Sequence, residues 1–220
     1  MSRPLVLFDL DGTLVDSGPG IRASVRHAAR RTGLPAPTDE QLRALIGPPF
    51  PQAFVDVLGV DAPTAAAMAT AYRAVYADHG LYEVSVYPGI PGLLAALGEH
   101  AALAVTTSKP EVYAREVVRH VGLAEHFGAE VYGASLDGSV EGKAAVVGLA
   151  LAAHPGVAVR ALVGDRDHDV LGARAHDLPC VGVTWGFGGR EELEAARAAA
   201  VVDAPAQVPD ALDRLAAAPG

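Results

Sequence analysis

The chain has 220 residues, half of them hydrophobic and a fifth charged, which is typical of a globular protein with a full-sized core. Its net charge of −9 argues against nucleic acid as a partner, because phosphate backbones are bound by clustered Lys and Arg. The single cysteine, Cys180, lies in an apolar run and excludes a disulfide framework. No secretory signal and no apolar stretch of the roughly 20 residues that a bilayer span requires is found. We therefore expect a cytoplasmic protein without membrane or nucleic-acid partners.

Six short apolar segments alternate with helical patterns along most of the chain. Four are strong strand candidates and two are weaker; they cover residues 4–9, 102–108, 159–165 and 180–186, and residues 129–133 and 199–203. Helices are predicted over 91–99, 110–121, 142–153, 168–176, 190–198 and 207–217. Apolar strands with little alternation are typical of parallel sheets buried on both faces. The fold class is therefore predicted to be α/β, with a doubly wound, Rossmann-like parallel sheet.

One region interrupts this alternation, because it contains helical patterns without a convincing strand. The patterns cover residues 20–32, 39–46, 50–58 and 62–79, and three prolines break the helices at 47–51. Thr38 and Gln41 predict a capping box at the start of the second helix. We interpret residues 17–82 as a helical cap domain inserted after the first strand, and residues 1–16 and 83–220 as the α/β core.

The segment LFDLDGTLVD, residues 7–16, places Asp9 and Asp11 one residue apart at the end of an apolar run. Two carboxylates this close repel each other, which leaves two interpretations open. The segment is either a strand that ends in an Asp-Gly turn or a cation site with a chemically active carboxylate. A calcium loop is excluded, because its sixth position requires Gly and its twelfth, here Gly20, requires Glu.

Polar pairs stand where three of the predicted strands end: Asp9 and Asp11, Thr107 and Ser108, and Asp165 and Asp169. Ligands of open parallel sheets bind beyond the carboxyl ends of the strands, so these pairs are expected to meet on one edge. Carboxylate oxygens suit Mg²⁺. The Thr107 hydroxyl, the amides that follow it and Lys143 at a helix start would supply hydrogen bonds and positive charge to an anion there. Together these groups indicate a phosphoryl-transfer site.

Each residue also has an ordinary structural explanation when it is taken alone. Lys143 fits a solvated lysine at a helix end, and Thr107 fits a hydroxyl bonded to the backbone. Asp165 and Asp169 fit helix N-capping residues. These explanations would all have to hold together for the shared site to be wrong.

Three further segments are assigned to structure rather than to chemistry. Residues 138–145 lack the glycine spacing and the hydroxyl of a phosphate-binding loop. Residues 186–189, GFGG, are too short for a dinucleotide motif and are interpreted as a glycine turn. His168 is interpreted as a solvated loop residue, since the histidines show no metal-ligand spacing.

With these four groups of residues, the chain resembles the haloacid dehalogenase superfamily of phosphohydrolases over nearly its whole length. DLDGT at 9–13 looks like the nucleophile motif, and VTTSKP at 105–110 like the Thr/Ser motif. Lys143 looks like the lysine motif, and VGDRDHD at 163–169 like the acidic motif. All four stand in the order of the family, and the helical insertion falls where the family carries its cap.

The resemblance implies a double displacement through an aspartyl-phosphate. Asp9 would attack phosphorus, while Asp11 would protonate the leaving alkoxide and then deprotonate the attacking water. Because dehalogenases need no acid at that position, Asp11 favours phosphate chemistry. The implied phosphate ligands are Gly12, Thr107, Ser108 and Lys143. The implied Mg²⁺ ligands are Asp9, Asp11 through its backbone carbonyl and Asp165, with Asp169 orienting the metal shell or binding directly.

The segments YPGI at 87–90 and SLDGSVEGK at 135–143 resemble the phosphoglycolate phosphatase-like branch, so a small phosphate ester is the expected substrate. Ala144 and Ser108 depart from that branch, where Pro and Asn are common, and put the substrate in doubt. A 5′-nucleotidase, a sugar phosphomutase and a non-catalytic phosphate-binding protein remain alternatives. Residues 47–50 and the helix around Tyr72 and Tyr76 are expected to select the substrate or simply to pack the cap. The oligomeric state is left open.

Overall fold

Eight strands form the sheets of the protein, whose computed structural model describes residues 3–217. They are β1 (Leu5–Phe8), β2 (Val15–Asp16), β3 (Ser85–Val86), β4 (Ala102–Pro110), β5 (Val131–Ala134), β6 (Val159–Gly164), β7 (Cys180–Val183) and β8 (Ala200–Val202). All six predicted strands are present. Two details differ: β4 continues to Pro110, and β7 ends at Val183 because the chain bends over 184–188.

Six of these strands form one parallel sheet in the order β5-β4-β1-β6-β7-β8. Numbered along this sheet alone, the order is 3-2-1-4-5-6, that of a doubly wound fold. The fold class predicted from the sequence is confirmed. The order reverses between β1 and β6, and this reversal is where such sheets bind their ligands.

Eleven α-helices are formed by the described residues. They are α1 (Gly18–Arg31), α2 (Asp39–Ala44), α3 (Gln52–Leu58), α4 (Ala62–Asp78), α5 (Ile90–Gly98), α6 (Glu111–His120), α7 (Ala124–Phe127), α8 (Lys143–Ala153), α9 (Asp167–Arg174), α10 (Arg190–Ala195) and α11 (Val208–Ala217). Only α7 has no predicted counterpart, because four residues are too few to show a helical period. None of these helices combines the length and the apolar composition that a membrane span requires.

The chain divides into two compact units. One contains the residues up to Val15 and from Val86 onward. The core of this unit surrounds its sheet, and all residues of the strand β1 are fully buried there. Cys180 is buried in this unit, as its sequence context predicts.

The second unit, Asp16–Ser85, contains α1 to α4. Thr38 and Gln41 form the predicted capping box at the start of α2. The rings of Phe50 and Phe54 stack at 4.2 Å, and those of Tyr72 and Tyr76 stack at 5.0 Å. Stacked, largely buried rings favour packing within this unit over contact with a ligand. The assignment of 17–82 as a cap that selects the substrate stays a prediction.

Candidate active site

The predicted nucleophile and the acidic motif lie on the two strands where the sheet order reverses. Asp9 directly follows β1, and Asp165 directly follows β6. The Asp9 amide donates to the carbonyl of Val163 at 2.8 Å, which ties these two strand ends together. The fold therefore brings together carboxylates that are more than 150 residues apart in the sequence.

Three buried carboxylates form an acidic cluster there, which we define as Asp9, Asp165 and Asp169. One oxygen from each lies within 4.8 Å of the others. The Lys143 ammonium donates to Asp9 Oδ1 and to the carbonyl of Thr106, and lies 2.7 Å from Asp169 Oδ1. Lys143 begins α8 as predicted but is 4% exposed, so it is a partner of the acidic cluster and not a solvated residue.

The environment of the acidic cluster changes how its members hold protons. Burial raises the pKa of Asp9 to about 6 against the opposing attraction of Lys143. Burial, together with repulsion from Asp169 and Asp9, raises the pKa of Asp165 to about 8. Burial also disfavours the charged forms of Asp169 and Lys143. Their mutual attraction outweighs this effect, lowering the pKa of Asp169 and raising that of Lys143.

The acidic cluster fits a divalent cation. Its donors are hard carboxylate oxygens, the type that Mg²⁺ prefers. Asp165 Oδ1 is buried and accepts no hydrogen bond, so it is an acceptor without a partner. When all three carboxylates are ionised, Lys143 balances one charge and leaves two, which a divalent ion would neutralise. Asp9, Asp165 and Asp169 are the residues that would hold it.

Asp11 lies outside the acidic cluster and has a different partner. Lys109 Nζ donates to both of its oxygens, at 2.9 and 2.7 Å, and both side chains are buried. Lys109 is not among the site residues predicted from the sequence. One signal was available: of the 17 basic residues only two are lysines, Lys109 and Lys143, and both are buried beside an aspartate.

The predicted phosphate ligands Thr107, Ser108 and Gly12 differ from one another in burial and in contacts. Thr107 is buried near the end of β4, and its Oγ1 accepts a hydrogen bond from the Lys109 amide at 3.2 Å. That amide is therefore engaged, although amides after Thr107 were expected to bind the anion. Ser108 is half-buried. Gly12 has φ +95°, and a Cβ there would lie 2.2 Å from Asp165 Oδ2, so only glycine fits beside the acidic cluster.

The segment 186–189 belongs to the site, although its sequence indicated only a turn. The Phe187 amide donates to Asp165 Oδ2 at 2.7 Å, and the Gly188 amide lies 3.5 Å from the same oxygen. A Cβ on Gly186 would lie 2.4 Å from Asp165 Oδ2. The turn thus positions Asp165, a role that appears only when β6 and β7 are adjacent.

Two residues of the acidic motif have structural roles as well. Asp169 Oδ2 accepts from the Arg166 amide at 3.1 Å, so the capping explanation and membership of the acidic cluster hold together. His168 is half-buried at the start of α9, 3.4 Å from Asp167 Oδ1, so its interpretation as a solvated loop residue is wrong. Because Asp165 and Asp169 are buried against the sheet, His168 between them is partly buried as well.

A doubly wound sheet that gathers three buried carboxylates and a buried lysine where its strand order reverses has the arrangement expected of phosphoryl-transfer hydrolases. Residues 6–183 match the family model described as haloacid dehalogenase-like hydrolase. The chain belongs to this family, and the superfamily and the hydrolytic enzyme class predicted from the sequence are confirmed.

Several relatives extend this comparison. The chain is 43% identical to a 5′-nucleotidase of Pseudomonas aeruginosa, over 87% of each chain. It is also 43% identical to the tyrosine-protein kinase PtkA of Mycobacterium tuberculosis, over 85% of this chain but 64% of that protein. A phosphoglycolate phosphatase of Agrobacterium fabrum is 31% identical over 84% of this chain and 82% of that protein. A predicted phosphatase from Clostridium acetobutylicum, known from its crystal structure, is 34% identical to this chain. The two structures superpose with a TM-score of 0.88 over 98% of this chain and 99% of that one.

Proposed function

We propose that the protein is a Mg²⁺-dependent phosphomonoesterase that passes the phosphoryl group of a small metabolite through Asp9 to water. The observation that carries this proposal is the division of charge at the carboxyl edge of the sheet. A nucleophile, a lysine and two further acids meet in a buried cluster, while Asp11 lies beside it with its own lysine. A structural role alone does not account for this arrangement, because unpaired buried charge is costly.

In the first half of the reaction, Asp9 is the nucleophile. Lys143 donates to Oδ1, so Oδ2 is the oxygen proposed to attack. The Oδ2–P bond forms as the bond from phosphorus to the leaving oxygen breaks, and the Asp11 carboxyl proton passes to that oxygen. Lys143, Thr107 and Ser108 would hold the phosphoryl oxygens while their charge is redistributed.

In the second half, water attacks phosphorus and the Oδ2–P bond breaks, which regenerates the Asp9 carboxylate and releases phosphate. Asp11 accepts the proton of the attacking water and is ready for the next turnover. The number of protons balances over the two halves. A Mg²⁺ ion held by Asp9, Asp165 and Asp169, with the Asp11 carbonyl as a further oxygen, would neutralise negative charge on the phosphoryl oxygens.

For the substrate, the comparisons favour the alternative over the first expectation. The relative named 5′-nucleotidase is 43% identical to the chain, whereas the phosphoglycolate phosphatase of A. fabrum is 31% identical. We therefore propose nucleoside 5′-monophosphates as the substrate class, with phosphoglycolate as the competing candidate. A sugar phosphomutase remains chemically compatible with the same aspartyl-phosphate.

The proposal is tested by phosphate release from p-nitrophenyl phosphate, with Mg²⁺ and with EDTA, followed by a substrate screen. The screen contains nucleoside 5′-monophosphates, phosphoglycolate, sugar phosphates and pyrophosphate. We expect hydrolysis that requires Mg²⁺ and is fastest with a nucleoside monophosphate. Hydrolysis unaffected by EDTA would contradict the metal requirement. A preference for phosphoglycolate would assign the other branch, and phosphate transfer between sugar positions without release would assign a mutase.

A further inference from the structure

Asp9 and Asp11 are one residue apart, yet their side chains lie in different surroundings. Asp9 belongs to the acidic cluster and shares Lys143 with Asp169. Asp11 is not among the residues whose oxygens converge there, and both of its oxygens accept hydrogen bonds from Lys109. Two identical side chains of the same short segment are thus paired with two different lysines.

We propose that Lys109 is a positioning residue that holds the Asp11 carboxylate out of the acidic cluster and directs it toward proton transfer. Lys109 acts through Asp11 and touches neither the nucleophile nor the phosphoryl group in this role. The inference rests on the proposed function, because the acid–base role of Asp11 belongs to that proposal.

The backbone on both sides of the pair is held in place, so side-chain contacts determine where Asp11 lies. The Leu10 carbonyl accepts from the amides of Leu14 and Val15, at 3.0 Å each, which closes a tight turn around Asp11. The Lys109 amide is bound by Thr107 Oγ1 on β4. Within this frame the Lys109 ammonium donates to both oxygens of the ionised Asp11 carboxylate. When one of these oxygens carries the proton to be transferred, Lys109 holds Asp11 through the other oxygen.

Electrostatics favours this arrangement over the alternative in which Asp11 turns toward Asp9. In that alternative, four carboxylates would share one ammonium, and Lys109 would be left buried without its anion. The Lys109 and Asp11 side chains are 6% and 10% exposed, so water screens neither charge well. Removing one partner of such a pair exposes the full cost of the other buried charge.

The first test compares two esters that differ in how much they need an acid. Phenoxide is a poor leaving group and needs a proton, whereas p-nitrophenoxide leaves readily without one. We expect Lys109→Met to lower kcat/KM on the order of 10²-fold for phenyl phosphate and by less than about tenfold for p-nitrophenyl phosphate. This constant reports the steps up to phosphoryl transfer to Asp9. An equal loss on both esters would overturn the proposal.

A double-mutant cycle tests whether Lys109 acts through Asp11. Asp11→Asn combined with Lys109→Met removes both charges, so neither is left buried alone. We expect kcat/KM for p-nitrophenyl phosphate to change by less than about twofold when Lys109→Met is added to Asp11→Asn. A further large loss would show that Lys109 binds the substrate itself, and would overturn the positioning role.

A readout besides activity, and a matched control, complete the experiment. We expect Mg²⁺ to raise the unfolding temperature of Lys109→Met as it does that of the unchanged protein; loss of that rise only in the variant would overturn the proposal. Arg119→Met removes an exposed ion pair with Glu116 on α6 and is expected to leave the ratio between the two esters unchanged. If the unchanged protein hydrolyses neither ester, the proposed function fails; if it hydrolyses both and the ratio does not move in Lys109→Met, only this inference fails.

Discussion

Two lysine–aspartate pairs lie at the same edge of the sheet, and they are built differently. Lys143 is shared, since its ammonium contacts both Asp9 and Asp169. Lys109 instead contacts both oxygens of one carboxylate, that of Asp11. When its carboxylates are all ionised, the first arrangement leaves negative charge that a cation would neutralise, while the second is a neutral pair beside it. In the proposed mechanism, position relative to a lysine, and not residue type, separates Asp9 as the nucleophile from Asp11 as the acid–base group.

The largest expected effect comes from removing the proposed nucleophile, Asp9, on the Lys143 side. Asp9→Asn keeps the size of the side chain but removes the carboxylate that is proposed to attack phosphorus. We expect phosphate release from p-nitrophenyl phosphate with Mg²⁺ to fall on the order of 10⁴-fold or more. A circular dichroism spectrum like that of the unchanged protein would serve as the folding control. Full activity in this variant would refute the proposed mechanism.

Removing the shared lysine should harm both activity and stability. Lys143→Met leaves Asp9 and Asp169 buried without their common counter-charge, which costs about 3–5 kcal/mol of unfolding free energy. Losing a charge that stabilises the transferring group should lower kcat about 10³-fold. Urea unfolding and steady-state kinetics measure the two effects. An unchanged urea midpoint would mean that Lys143 does not stabilise the folded protein by neutralising these two carboxylates.

The turn that holds Asp165 provides a smaller test with a matched control. A Cβ on Gly186 would lie 2.3 Å from the Gly12 carbonyl oxygen and 2.4 Å from Asp165 Oδ2, whereas one on Gly189 would meet nothing within 4 Å. We expect Gly186→Ala to weaken Mg²⁺ binding about 10- to 100-fold, as loss of groups behind a metal ligand does. Gly189→Ala should leave it unchanged. Calorimetric titration with Mg²⁺ compares the two variants, and equal affinities would contradict the role of the turn.

The effect with the smallest change per step is a pH dependence of the unfolding free energy, which arises in the acidic cluster. Folded Asp165, with a pKa of about 8, keeps a proton that an unfolded aspartate releases near pH 4. Between these values the folded state binds more protons, so without Mg²⁺ the unfolding free energy should fall as pH rises. The contribution of this group is at most about 1.4 kcal/mol per pH unit.

Chemical unfolding in EDTA from pH 5 to pH 8 measures this slope. Asp165→Asn cannot titrate at this position and should show a flatter profile. Parallel profiles for the two proteins would show that Asp165 does not hold a proton in the folded state.

The sequence alone predicted the elements that local patterns encode. The apolar strands, ten of the eleven helices and the Thr38 capping box follow from hydrophobic periodicity and from side chains that bond to nearby backbone. The convergence of Asp9 and Asp165 was also predictable, because parallel strands of a doubly wound sheet present their carboxyl ends on one edge. The motifs and their order were sufficient to assign the family.

Contacts between distant segments could be decided only by the tertiary structure. In the sequence, Lys109 follows the end of the predicted strand 102–108, as many surface lysines do. Its pairing with Asp11, 98 residues away, depends on the adjacency of β1 and β4. The GFGG sequence predicts only a turn. Its contact with Asp165, through the Phe187 amide, forms because β6 and β7 are adjacent in the sheet. The sequence therefore determined the fold and which residue types carry the chemistry. The tertiary structure decided which buried charge faces which, because only packing sets the distances on which electrostatic energy depends.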